Sequence, residues 1–226
     1  GAPPEVMRRF ELSLAEHGRQ ERHFRAGLAL LAVLCLLPLG MIGLVWLKSD
    51  AIIAWAVDRV SLEHEQVLGD LAFAQMRAGL KLRPDGPAPE LVRHLGTRLT
   101  VGSRYRYRWL VADSPEVNAF AMPGGYVVVY TGLLKAADSA EEVAGVLAHE
   151  VQHVERRHAL RNLIHDLGWR ALLALMLGDA SGSVWADAAG RLVGLGYSRD
   201  LEREADLGGL KALHQAAIPA DGMLLF

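Results

Sequence analysis

Residues 139–154, SAEEVAGVLAHEVQHV, decide how this chain is read. Ser139 can cap a helix, and Glu142, three residues on, completes a capping box. Val143, Val146, Leu147, Val151 and Val154 then form an apolar stripe along that helix. His149 and His153 are four apart, so they share one face, a turn apart. Two imidazoles so placed can reach one tetrahedral metal ion, and Glu150 beside them can take a proton from a water at that metal. Surface histidines on an amphipathic helix are the plain alternative, but a buried helix has no use for two histidines unless they bind something. A catalytic zinc takes three protein ligands and keeps a fourth position open. His158, His165, Asp166, Glu202, Glu204, Asp206 and His214 are the downstream candidates for the third ligand, and spacing alone does not choose among them.

Upstream lies a second informative stretch. Residues 26–47, AGLALLAVLCLLPLGMIGLVWL, carry no charge over 22 positions. As a helix this run would cover roughly 33 Å, enough for a bilayer core. Pro38 is tolerated within a membrane helix, and Trp46 and Lys48 mark an interface edge. A cleaved signal peptide has a shorter apolar region, and the small-x-small Ala54-Trp55-Ala56 lies beyond the charged Lys48 and Asp50. Bulky Leu34 before Cys35 argues against a lipoprotein site, and the run is too long for an ordinary core helix. Arg8, Arg9, Arg19, Arg22 and Arg25 precede the run, whereas only Lys48 and Arg59 follow closely. The positive-inside rule therefore expects residues 1–25 in the cytoplasm and the larger C-terminal part across the membrane.

Composition agrees with an anchored protein. Of 226 residues, 51% are hydrophobic, and the net charge of −2 gives no support to nucleic-acid binding. Cys35 is the single cysteine, so no intramolecular disulfide can form. The chain opens on Gly1 and ends 20 residues after Asp206, which reads as a piece of a longer protein.

Periodicity supplies the remaining elements. Residues 51–82 read as a helix, with Ile52, Ile53, Val57, Val60, Val67, Leu68 and Leu71 apolar, until Pro84-Asp85-Gly86-Pro87 breaks it. Residues 89–100 read as another helix. Tyr105 to Val111 alternates like a half-exposed strand, and Tyr126 to Tyr130 is a strong strand after the Pro123-Gly124-Gly125 turn. From Ser139 the pattern is helical to the end. Residues 126–131 are expected to form the sheet edge to which an extended substrate adds, with Tyr126, Val127 and Val128 in contact and Asn118 giving a polar contact nearby. Leu172 to Leu177 is too short to span a bilayer and reads as core packing, with a flap or membrane contact as the alternative. His158 reads equally well as a surface histidine, and His64, His94, His165 and His214 as structural or exposed.

The motif HEVQH, followed by Ser198-Arg199-Asp200-Leu201-Glu202-Arg203-Glu204-Ala205-Asp206, resembles the HtpX-like and BepA-like zinc metallopeptidases, relatives of the CAAX prenyl endopeptidases. Val117 to Gly125 is similar to the segment leading into that family's substrate-facing strand. The resemblance covers roughly residues 62–226. It implies one Zn²⁺ per chain, His149, His153 and Glu202 as its ligands, Glu150 as catalytic base, and Asp206 orienting a ligand. Helical spacing adds only that Glu202 and Asp206 share a face while Glu204 points elsewhere, where it reads as a solvated surface charge.

The expected fold is thus α+β: a mostly helical, gluzincin-type domain with a small β-sheet over residues 89–226. It follows a 48–88 juxtamembrane helical region and one transmembrane helix at 26–47. The expected function is endopeptidase action on unfolded or misassembled polypeptides, from a bacterial inner membrane with the catalytic domain periplasmic. A catalytically weak membrane-anchored chaperone that keeps the metal site is the alternative, and a metal-free helical scaffold is a third reading.

Overall fold

In the computed structural model, the described residues are Glu5, 27–28, 30–31, 33–38, 49–167, 182–192 and 196–225. The 26–47 span lies largely outside them, as does Leu172 to Leu177. Those of its residues that are described are helical, and Leu28, Leu30, Leu34 and Leu36 are exposed. Among the described residues no helix is long and apolar enough to cross a membrane. Contacts divide the chain into Gly1–Ile52 and Ile53–Phe226, and the architecture below is that of the second unit.

The helix expected over 51–82 is two helices. α1 (Ser49–Val57) ends before Ser61, whose hydroxyl accepts from the His64 amide and starts α2 (Leu62–Arg77). β1 (Leu82–Arg83) and α3 (Pro87–Leu99) follow, with proline in the first turn of α3, where its missing N–H costs nothing. Next come β2 (Arg108–Ala112), β3 (Ala119–Met122) and β4 (Tyr126–Tyr130). The helices α4 (Thr131–Ala136), α5 (Ala140–Glu155), α6 (His158–Leu167), α7 (Gly182–Leu192), α8 (Arg199–Gln215) and α9 (Asp221–Leu225) complete the unit. β1, β3 and α4 had no counterpart in the sequence reading.

The four strands lie in the order β1-β2-β4-β3. β2 and β4 run parallel, with Leu110 opposite Val128, whereas β3 runs antiparallel to β4, with Ala119 opposite Val129. Side chains alternate between faces. Tyr126 and Val128 join Leu68, Ala72, Leu160 and Leu163 on one side, and Val127 and Val129 join Val92, Leu147 and Ala148 on the other. The sheet is therefore packed between helices on both faces.

This overturns the expected edge. β4 is flanked by β2 and β3, and Val127 and Val128 are wholly buried, so Tyr126, Val127 and Val128 cannot receive a substrate strand. β3 is the edge on that side of β4, with β1 the opposite edge, and it returns into β4 through a tight turn in which Gly124 and Gly125 adopt φ of 75° and 93°. Those left-handed values, and the approach of the Gln66 backbone to Gly124, exclude a side chain.

One buried ion pair ties the entry of the unit to the end of α5. Arg157 takes a left-handed φ of 57° just past that helix. Its guanidinium donates to Glu65 Oε2 and to the Val57 and Val60 carbonyls at 2.6–2.8 Å, and Tyr105 donates its hydroxyl to the same carboxylate. Arg157 and Glu65 are 2% and 1% exposed. Burial raises the Glu65 pKa, and Arg157 opposes that rise. Arg157→Met would leave the buried Glu65 carboxylate without its countercharge, held only by the Tyr105 hydroxyl, and would take a donor from the Val57 and Val60 carbonyls. Urea unfolding should show a loss of about 3–5 kcal/mol, and the loss should shrink as pH falls and Glu65 protonates.

Candidate metal centre

α5 begins as its sequence predicts. Ser139 Oγ accepts from the Glu142 amide, and Glu142 reaches back to the Asp138 amide, one residue before the capping residue. The apolar stripe of α5 packs on the sheet and on α8, and this turns His149, Glu150 and His153 toward the free edge of β3. α8 is capped by Ser198, whose hydroxyl accepts from the Leu201 amide, and it carries Glu202 in its first turn.

Three ligating atoms converge there. His149 Nε2 lies 3.0 Å from His153 Nε2 and 3.2 Å from Glu202 Oε2, and His153 Nε2 lies 4.0 Å from that oxygen. A tetrahedral ion with bonds of about 2.0–2.2 Å spaces its donors about 3.3–3.6 Å apart, so a zinc fits among these atoms. Two imidazole nitrogens and one carboxylate oxygen are also the donor types zinc takes. His149 Nδ1 sits 2.8 Å from Asp206 Oδ1. A carboxylate only accepts, so His149 Nδ1 donates to Asp206, which leaves Nε2 as the nitrogen turned to the ligand group. Burial, and then His149 and His158, depress His153 to about 3, which keeps it neutral at physiological pH.

Glu150 stands beside this group. Burial, and then the charge of Glu202, push its carboxyl up to about 8, while a hydrogen bond from the Ala121 backbone amide pulls the other way. A cation held by Glu202 would offset the second cause. A carboxyl in this range is suited to taking and returning protons near neutral pH.

β3 supplies the facing wall. Tyr130 donates its amide to the Asn118 carbonyl, so alternation in the antiparallel pair turns Asn118, Phe120 and Met122 toward β4. Ala119 and Ala121 direct their backbone groups to the free edge. The cleft between this edge and α5 has a volume of about 540 Å³. Asn118 is exposed at its lip, while Met76, Phe120, Tyr130 and Leu192 give it an apolar side.

Three residues stand differently from the sequence reading. Glu204 is no solvated charge: Arg156 and Arg161 donate to its two oxygens at 2.7 and 2.8 Å. Partial burial opposes ionisation, but the two arginines hold its pKa below the usual range. His158 is fully buried, and its Nδ1 lies 3.0 Å from His153 Nδ1. Burial depresses it to about 4 despite the facing Glu204. Tyr197, which sequence reasoning passed over, stacks on His153 with ring centroids 4.0 Å apart. Burial, and then Glu150 and Glu202, hold its hydroxyl well above its ordinary pKa. Its position just before the capping Ser198 was the only available signal.

Residues 90–224 match Peptidase family M48. The chain is 30% identical over 179 residues to the beta-barrel assembly-enhancing protease of Yersinia pestis, covering 73% of this chain and 37% of that protein. It is 29% identical over 182 residues to the Escherichia coli (strain K12) protein of the same name, covering 74% and 37%. A shorter match, 41% over 108 residues, is to mitochondrial metalloendopeptidase OMA1 of Arabidopsis thaliana, covering 47% and 22%. The chain thus spans under two-fifths of the length of these relatives.

The raised Glu150 pKa has a consequence for stability. In unfolded chain the carboxyl ionises near 4.5, whereas in the metal-free fold it stays protonated to about 8. Between those values the unfolded state is the more ionised, so stability falls as pH rises. Metal-free Glu150→Gln should therefore melt higher than metal-free wild type at pH 8, with the gain vanishing near pH 4. Equal gains at both pH values would reject the burial argument.

Proposed function

The chain belongs to Peptidase family M48, and from that membership we propose that it is a zinc-dependent endopeptidase acting on unfolded or misassembled polypeptides. The observation that carries the proposal is the meeting of His149, His153 and Glu202 beside Glu150, against the free edge of β3.

Zinc held by His149, His153 and Glu202 supplies a Lewis acid that acidifies water and polarises a scissile carbonyl. The chain does the rest. Asp206 accepts from His149 Nδ1 and keeps that ring's Nε2 aimed at the site. Glu150, oriented by the Ala121 amide, removes the attacking water's proton and returns it to the leaving amine. The outward backbone groups of Ala119 and the carbonyl of Ala121 hold an extended substrate by main-chain hydrogen bonds, which read backbone rather than sequence. Asn118 adds a polar contact at the lip. The apolar side of the cleft receives the kind of side chain that folded proteins bury and unfolded ones expose.

Glu150→Gln should keep about one zinc per chain and lose roughly 10²- to 10⁴-fold in turnover of unfolded casein. Wild type should spare a tightly folded protein of similar size. A near-wild-type rate in the variant would remove Glu150 from the mechanism, and equal cleavage of the folded control would remove the substrate class.

Residues 26–47 anchor the chain as a single transmembrane helix in a bacterial inner membrane. Residues 1–25 are cytoplasmic, 48–88 are juxtamembrane, and 89–226 form the periplasmic peptidase domain. The support is the uncharged run of 22 residues and the arginines that precede it. Protease added to intact spheroplasts should digest the domain, and full protection would reverse the orientation.

A further inference from the structure

Neither the ligand set nor the cleft accounts for the pairing of His158 with Glu204. His158 is wholly buried, with its Nδ1 3.0 Å from His153 Nδ1. Its other nitrogen, Nε2, lies 3.4 Å from Glu204 Oε2 and makes no hydrogen bond. Arg156 holds the other oxygen of that carboxylate, and Arg161 shares Oε2 with His158.

The contact between the two Nδ1 atoms carries one proton, and it can be placed in two ways. In the first, His153 donates: its Nε2 is bare, and His158 carries its own proton on Nε2, facing Glu204. In the second, His158 donates: its bare Nε2 then faces a carboxylate at 3.4 Å. The His153 proton would then sit on Nε2 and point at His149 Nε2, 3.0 Å away. That proton donates to His149 Nε2 and lies where a metal bond would form, so the second arrangement gains a hydrogen bond that Glu204 must outweigh. A charge on Glu204 penalises the second arrangement, because a lone pair and a carboxylate repel, and it favours the first.

We propose that Glu204, acting through His158, is a positioning device that locks His153 in the tautomer with a bare Nε2, so that the three ligands are preformed for a divalent cation. This rests on the metallopeptidase reading of the site. It differs from a simple surface ion pair with Arg156 and Arg161, which would leave metal affinity unmoved. Neither Glu204 nor His158 touches the metal or the substrate on this account. Ligating histidines usually give their second N–H to a carboxylate, a carbonyl or water. Here the partner is another histidine, which can donate or accept, so a further charge is needed to choose.

The test uses the full chain in detergent after chelator treatment. Long-range ¹H–¹⁵N correlations of the imidazoles report the tautomers of metal-free protein directly. Wild type should carry the His153 proton on Nδ1, and Glu204→Gln should show a mixture. Zinc Kd, measured by competition with a chromophoric chelator, should rise about 10- to 100-fold in Glu204→Gln. His158→Asn removes the second ring and with it the route from Glu204. In that background Glu204→Gln should change Kd by less than about twofold, the limit for uncoupled sites. An unchanged Kd and unchanged tautomer in the single variant would overturn the proposal. So would an equal loss in the His158→Asn background, which would mean that Glu204 acts by another path. Should His158→Asn fail to fold, the tautomers and Kd of the exposed-side variant Glu204→Gln still decide. Wild type that binds no zinc would sink the metallopeptidase reading, while the tautomer comparison would still judge the pair.

Discussion

The close approach of α5 and α8 is the constraint on which the site depends. Gly208 and Gly209 of α8 lie at the contact. A Cβ on Gly208 would run into the Gln152 side chain, and one on Gly209 would press on the Ala148–His149 backbone and on Met223. Ala144 and Ala148, both wholly buried, keep α5 equally slim here. With bulkier residues the helices would stand farther apart, as side-chain size at the contact sets interaxial distance. Glu202 and Asp206 reach His149 only because this separation is small. The Ser198 cap then decides where α8 begins, and so brings Tyr197 against His153.

Buried polar groups are handled in two ways. Away from the cleft, buried side-chain groups among the described residues other than His158 Nε2 are satisfied. Glu65 is matched by Arg157 and Tyr105, and Glu155 accepts from Ser103 and Tyr107. At the cleft, burial and the charge of Glu202 raise the cost of ionising Glu150, and two imidazole nitrogens face each other at 3.0 Å. Such a concentration of uncompensated groups is costly in a protein interior, and it is what a site prepared for a cation looks like.

Different signals had different reach in the sequence. The α5 helix was legible because its cap, apolar stripe and paired histidines all lie within one element and obey one period. The strand at 126–130 was legible as a strand but not in its place. Its run of three valines between tyrosines is the pattern of a strand buried on both faces, which argues for the interior of a sheet. Ala119–Met122, short and alanine-rich, carries a weak strand signal, yet it is the edge. Glu204 and His158 were misjudged or left open for a related reason: helical phase says which face a residue takes, not what packs against that face. Arg156 at the end of α5, and His158 and Arg161 on α6, meet Glu204 only because these elements come against α8.

By itself, the sequence determined which chemistry the chain carries, since the HEVQH spacing is a local pattern read within about one helical turn. Only the tertiary structure decided which strand is exposed at the cleft, how Glu202 reaches His149, and what surrounds His158. Those are contacts between residues tens of positions apart, and they follow from how closely whole elements pack.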